Sequence, residues 1–366
     1  MIRVLQVFSK LNRGGAETMV MNIYRTIDRT KVQFDFIVNC EGEHDYSEEI
    51  RSLGGKIYYL PKFNGLNYFS LKKKWRKFFI EHPEYKILHS HVRSYASIYI
   101  PIAKKYGLKT IIHSHSTSNG KGIGAVIKKI MQYPLRFQAD YLFACSQISG
   151  EWLFGKKATK KDNYKLIPNA VDLDKFKFDS KVREVYRKSL GIENNTVYIH
   201  VGRFHPAKNH LFLLNLFSGI RRTNDNAVLL LVGDGELRTD IENKIKKLQI
   251  DNGVKLLGSR DDVYKLLQAA DCFLFPSKWE GLPVTVIEAQ VAGLPCFVSE
   301  NVTSEVFISE YAYKLPVNKG TDVWLNAIAK TDKERHDFIK EVGETQFDIN
   351  SSVNCLTDFY INLCKK

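Results

Sequence analysis

The run Cys272-Phe273-Leu274-Phe275-Pro276-Ser277-Lys278-Trp279-Glu280-Gly281-Leu282-Pro283-Val284-Thr285-Val286-Ile287-Glu288-Ala289 decides the fold. Its first four residues read as a strand buried on both faces, and Pro276 stops that strand. A loop with Gly281 and Pro283 follows, then an apolar helical pattern over Val284–Val291 that carries Glu288. Strand, loop and helix in this order make one α/β unit. The pattern repeats outward. Pro295–Val298 reads as the next strand, and Thr196–Val201, Ala227–Val232 and Val254–Leu257 as earlier ones. Asn209–Arg221, Arg238–Gln249 and Val263–Ala269 read as the helices between them.

The first half of the chain repeats the scheme. Strands are expected at Arg3–Phe8, Gln33–Val38, Lys56–Leu60, Ile87–Ser90, Thr110–His113, Tyr141–Ala144 and Lys165–Ile167. Helices are expected at Glu17–Ile27, Ser94–Tyr106 and Ala125–Phe137. Apolar strands separated by helices predict parallel sheets covered on both faces, and two successive sets predict two doubly wound domains. Pro168-Asn169-Ala170-Val171-Asp172 breaks the periodicity, and a charged segment over 179–188 leads to Gly191. The hinge is expected between about 170 and 195. A final helix, Ser351–Leu363, suits either domain.

Apolar residues make up 44% of the 366-residue chain and charged ones 26%, the balance of a folded globular protein. No signal-peptide pattern or membrane-length apolar run is found, so the expected location is the cytosol. Six scattered cysteines without Cys-x-x-Cys pairing read as free thiols. Charge is uneven: residues 1–190 hold 34 Lys+Arg against 17 Asp+Glu, a net of +17, whereas residues 191–366 net −3. A basic half suits nucleic acid, an anionic membrane or a phosphorylated substrate. Lys72-Lys73-Lys74-Trp75-Arg76-Lys77-Phe78-Phe79 reads either as a solvated helix face or as an interfacial helix anchored by Trp75 and Phe78.

Chemistry-bearing residues gather at strand ends. Gly14 and Gly15 lie between the first strand and its helix, where backbone N–H groups can meet an anion or merely make a tight turn. Gly202 opens space after Thr196–Val201, and Arg203 and Lys208 are placed to converge on a diphosphate. Glu280 on its loop can accept from sugar hydroxyls, and Glu288 from a ribose diol. An unpaired Glu288 amid Val286, Ile287 and Ala289 would be costly. His89-Ser90-His91 and His113-Ser114-His115 end two strands on the edge that faces the ligand crevice of such sheets. Four imidazoles can ligate a metal, yet no carboxylates accompany them, and the expectation is none.

In this order the motifs resemble those of retaining glycosyltransferases of family 4. The resemblance rests on Gly14-Gly15-Ala16-Glu17, Gly202-Arg203 with Lys208, Gly233-Asp234-Gly235, Glu280-x7-Glu288, and Pro168–Asp172 with Ala170 where the family usually has Gly. It spans nearly the whole chain. Ile112-His113-Ser114-His115 is similar to a segment of members from capsule and exopolysaccharide synthesis. It implies a GT-B fold, two facing Rossmann-like domains with an interdomain cleft. Residues 1–175 would bind the acceptor and 176–349 the nucleotide sugar, with a helix at about 350–366 packing back onto the first domain. Donor contacts would come from Gly14, Gly15, Arg203, Lys208, Ser259, Arg260, Glu280, Gly281, Leu282, Val284, Thr285 and Glu288. One of His113 and His115, the spacing favouring His115, would stand at the reaction centre with Glu280, Arg203 and Lys208, with His91 and His113 placed on the acceptor side.

The implied reaction moves a sugar, with a UDP-sugar the expected donor, onto a glycan or polyprenyl-linked acceptor, with retention and without a metal or other cofactor. The enzyme would reach that acceptor peripherally, on the inner face of the membrane. A nucleotide-sugar epimerase on the same paired fold is one rival. It would need no acceptor, so an assay with donor alone separates the two. A basic nucleic-acid-binding protein is the other, disfavoured because no recognition helix, RNA-binding aromatic signature or zinc module is present.

Overall fold

A computed structural model of the chain describes residues 1–116 and 122–365. It divides into two compact units, residues 1–170 with 349–366, and residues 171–348. The second begins at Val171, ahead of the 175 boundary read from the sequence, because Val171 already bridges to Asp348.

The first unit is built on seven parallel strands: β1 (Ile2–Phe8), β2 (Val32–Val38), β3 (Ile57–Tyr59), β4 (Ile87–Ser90), β5 (Lys109–Ser114), β6 (Tyr141–Ala144) and β7 (Tyr164–Leu166). Their order is β3-β2-β1-β4-β5-β6-β7. The winding reverses between β1 and β4, where Val7 lies beside Ser90. Such a reversal opens a crevice at the carboxyl ends of the two strands. Val4 and Phe8 of β1 face one core, and Leu5 and Val7 the other. The helix Ile349–Lys365 lays Val353, Leu356, Tyr360 and Leu363 into the first of these cores, beside the helix Gly15–Thr26.

The second unit repeats the design with β8 (Thr196–Val201), β9 (Ala227–Val232), β10 (Val254–Gly258), β11 (Cys272–Phe275), β12 (Cys296–Ser299) and β13 (Ala312–Leu315), ordered β10-β9-β8-β11-β12-β13. Here the reversal lies between β8 and β11. The edge strand β13 escaped the sequence reading because Ala312, Tyr313 and Lys314 stay partly or fully exposed, which blurs the buried-strand pattern. The charged 179–188 segment is a helix, Ser180–Leu190, begun by the Asp179 side chain and ended by left-handed Gly191. Arg183 and Arg187 both reach Asp271, which also accepts from the Val197 amide at the start of β8.

The structure corrects one expectation outright. In the helix Tyr68–Glu81, Leu71, Trp75, Phe78 and Phe79 form a single stripe at helical spacing. Trp75 is 0% exposed and stacks on Tyr99 at 4.3 Å, and Phe78 is 5% exposed. Neither can anchor a membrane, and only the lysines and arginine of that stretch face solvent. The exposed apolar stripe lies elsewhere. Ile123, Val126, Ile127 and Ile130 recur at i, i+3, i+4 and i+7 on the helix Ile123–Gln132 and are 51–82% exposed.

Candidate functional site

At the β8/β11 reversal a cation, two carboxylates and a helix start come together. Gly202 ends β8, and a Cβ there would press on the Lys208 stem at 3.0 Å and on His200 Nε2 at 3.2 Å. Glycine thus lets Lys208 cross the strand end. Gly233, at a φ of +140°, carries the neighbouring loop so close that a Cβ would strike the Gly202 carbonyl. Lys208 Nζ lies 2.8 Å from Glu280 Oε1 and 4.7 Å above the Phe275 ring. Both partners of this ion pair are largely shielded, with side chains 18% and 14% exposed. Arg203 is exposed and has no ion-pair or hydrogen-bond partner among the described residues.

Glu280, Gly281 and Leu282 lead into the helix Val284–Val291, whose N-terminus has no side-chain cap. Its first-turn N–H groups, Val284 and Thr285 among them, therefore keep no acceptor within the helix and suit an anion. Glu288 sits one turn further along. Burial pushes its carboxyl up to about 7, and the Lys175 charge opposes this in part. Ser259 is exposed after β10, and Arg260 forks onto Asp262 at 2.8 and 2.6 Å. That hydrogen bonding, from Arg260 first, holds Asp262 down at about 2.

His200 and His210 were missed in the sequence. Both are buried near Lys208, and desolvation, aided by the lysine charge, keeps both imidazoles neutral, with His210 at about 4. Their only signal was a histidine on each side of the Lys208 loop.

In the first unit, Gly14 caps the helix Gly15–Thr26 in extended backbone with φ −121°. The anion at this helix start is the chain's own Glu17: a Cβ on Gly14 would run into its carboxylate. Burial raises the pKa of Glu17. A phosphate at Gly14 and Gly15 would have to displace that side chain.

The four histidines do converge. His91 Nδ1 lies 2.8 Å from His115 Nε2, and His89 Nε2 lies 3.2 Å from His113 Nδ1. Gln6 Oε1 meets His91 Nε2 at 2.9 Å, and the Tyr360 hydroxyl meets His89 Nδ1 at 2.8 Å. Burial drives all four rings far below the usual histidine range, His113 to about 3, so each is neutral at pH 7. Ring nitrogens of His89, His91 and His113 lie within 4.8 Å of one another, near enough to consider a metal. The short contacts among rings, Gln6 and Tyr360 already engage five of those six nitrogens, which argues for a hydrogen-bonded cluster. His113, read as acceptor-side, is 0% exposed. His115 lies at the partly open end. Arg93, also missed, donates to the Ser116 carbonyl at 2.9 Å and lies over Trp152, and its charge helps keep His115 neutral.

The family model described as Glycosyltransferase Family 4 matches residues 13–175, and Glycosyl transferases group 1 matches residues 182–340. A putative glycosyltransferase of Bacillus subtilis (strain 168), EpsF, is 33% identical over 98% of this chain and 96% of its own. The Escherichia coli UDP-Gal:alpha-D-GlcNAc-diphosphoundecaprenol alpha-1,3-galactosyltransferase is 29% identical over 74% of this chain and 80% of its own. Anabaena HepE, solved in complex with UDP-glucose, superposes with a TM-score of 0.73 at 18% identity, covering 100% of this chain and 98% of its own, a likeness of fold. The two parallel α/β units are those of a GT-B enzyme, and the chain belongs to the family 4 glycosyltransferases.

Proposed function

We propose that this glycosyltransferase moves a sugar from a UDP-sugar to a lipid-linked glycan in bacterial surface-polysaccharide synthesis, with retention and without a metal. The observation that carries the reading is the joining of Lys208, Glu280, Glu288 and an uncapped helix N-terminus at one sheet reversal. Arg203, Lys208 and the first-turn amides neutralise the charge that develops on the departing diphosphate, which is electrostatic catalysis by fixed groups. Glu288 takes the ribose diol and Glu280 the transferred sugar. On this reading the cations would serve in place of a metal, and the hydrogen bonding among the histidines supports the same view.

The name of the galactosyltransferase supports a UDP-sugar donor, and its diphosphoundecaprenol a lipid-linked acceptor. Among the described residues no helix is long and apolar enough to cross a membrane. Access to such an acceptor runs through the helix Ile123–Gln132. Residues 85–139 hold nine Lys or Arg and no Asp or Glu, so this apolar stripe sits in a stretch suited to anionic lipid.

A melt of the protein with UDP-, GDP- and ADP-sugars tests the donor, and NMR of the product anomer formed in EDTA tests the chemistry. UDP-sugars should raise Tm most, and transfer with retention should persist. Stabilisation by a GDP-sugar that matches or exceeds it, or transfer that returns only with added divalent ions, overturns the reading.

A further inference from the structure

We propose that Gln6, His91 and Tyr360 are positioning residues that hold His115 in the tautomer whose Nδ1 carries no proton, leaving that nitrogen as the acceptor for a substrate hydroxyl. The inference rests on the transferase reading for the identity of the hydroxyl, a sugar's, but its geometry does not.

A single amide sets the whole cluster. Gln6 projects from β1 on the face that Val4 and Phe8 share, toward the helix that carries Tyr360. Its Oε1 can only accept, so His91 donates from Nε2 at 2.9 Å. Neutral His91 then has a bare Nδ1, and His115 must donate to it from Nε2 at 2.8 Å. Neutral His115 is left with an unprotonated Nδ1, which is shielded from water and has no partner among the described residues. A buried acceptor without a partner is unfavourable by itself and becomes useful once a donor arrives.

A second branch runs through the same amide. Gln6 also opposes the upward push of burial on the Tyr360 hydroxyl, as an amide NH2 directed at that oxygen would. Tyr360 therefore turns its own hydrogen to His89 Nδ1 at 2.8 Å. His89 donates from Nε2 to His113 Nδ1, and His113 keeps its hydrogen on Nε2. That nitrogen is buried and has no hydrogen-bond partner among the described residues. With Gln6 flipped, every hydrogen in both branches would reverse. His115 would then present N–H where the sugar needs a lone pair. Among the described residues the charged and titratable groups facing His115 are His91, His113, His89 and Arg93. Burial comes first among the causes that keep it neutral, and these neighbours add to it.

The test reads tautomers directly. In 15N-histidine NMR of the whole chain, wild type should show His115 protonated at Nε2 alone. Gln6→Leu, and separately Tyr360→Phe, should admit the Nδ1–H form. In transfer assays these variants should lose kcat by roughly 10–100-fold, the scale of a misplaced proton acceptor, while KM for the donor stays within about twofold. Gln6→Glu should add an acid limb to the pH profile. Its carboxylate favours imidazolium at His91, which forces the wrong His115 tautomer until that proton leaves. A wild-type His115 protonated at Nδ1, or a tautomer unmoved in Gln6→Leu and Tyr360→Phe, overturns the proposal. Should Gln6→Leu fail to fold, Tyr360→Phe and Gln6→Glu carry the same readouts. Correct tautomers in a chain that transfers no sugar would sink the transferase reading alone. Altered tautomers with unchanged kcat would refute the role in turnover.

Discussion

Replacing Glu288 with glutamine separates folding from binding. Its carboxyl is pushed from an ordinary 4.5 to about 7 because burial disfavours the charge. The folded protein thus holds this proton more tightly than the unfolded chain does. Stability from the group is intact below pH 4.5, falls as the pH rises toward 7, and is level beyond. At about 1.4 kcal/mol per pH unit, the shift sets a ceiling of about 3 kcal/mol. The side chain still meets some solvent, so a gain of ~1–2 kcal/mol for Glu288→Gln at pH 8 is expected. For a unit of this size that raises Tm by roughly 2–8 °C. Calorimetric melts at pH 4, 6 and 8 would follow the gain from near zero upward. Saturating UDP-sugar should stabilise wild type more than the variant, because glutamine grips the ribose diol less well than a carboxylate. A variant no more stable than wild type at pH 8, or equally favoured at pH 4 and pH 8, would refute the desolvation argument.

Other outcomes follow from the same geometry. Arg203→Ala and Lys208→Ala should each weaken donor binding by about 1.5–3 kcal/mol in titration calorimetry. Only Lys208→Ala should also lower Tm, since it strands Glu280 without its partner, and an unchanged affinity in either variant contradicts the diphosphate assignment. Glu280→Gln should reduce kcat with donor affinity largely kept; if Glu280→Gln and Glu288→Gln exchanged their effects, the division between sugar and ribose would be wrong. Trp75→Ala should destabilise by about 3–5 kcal/mol, as for a buried aromatic, without altering vesicle binding. Ile127→Asp with Ile130→Asp should do the reverse in co-sedimentation with anionic vesicles, and binding that survives this pair would remove that helix from the membrane.

The parallel strands were legible because they are apolar on both faces; β8, β9 and β11 lie where their runs predict. Less legible was anything decided by which way a face turns. The Lys72–Phe79 stretch reads the same as a membrane helix or a core helix until the sheet supplies a partner for Trp75. The Ile123–Gln132 stripe gives an ordinary buried pattern that the fold leaves uncovered. Glu280, Lys208 and Glu288 were readable from strand-end position and from the loop residues around them. Gln6 was not. It occupies an interior position of β1, where spacing suggests only packing, and its role comes from His91 and Tyr360, 85 and 354 positions along the chain.

The resting charges also say how a donor would be received. Of the candidate cations, Lys208 is paired with Glu280 and Arg260 with Asp262, whereas Arg203 has no carboxylate partner among the described residues. On the proposed reading an incoming diphosphate would meet Arg203 first and gain Lys208 only by exchange with Glu280. That exchange would loosen a shielded ion pair just as the glutamate acquired sugar hydroxyls to accept from. The two steps compensate when both phosphate and sugar are present. UDP alone should consequently bind with a smaller contribution from Lys208 than an intact UDP-sugar does. A double-mutant cycle over Lys208→Ala and Glu280→Gln measures this: the coupling between the two should fall when UDP-sugar binds and stay high with UDP. Equal coupling in both complexes would mean that Glu280 never leaves the lysine, and its assignment to the transferred sugar would fail.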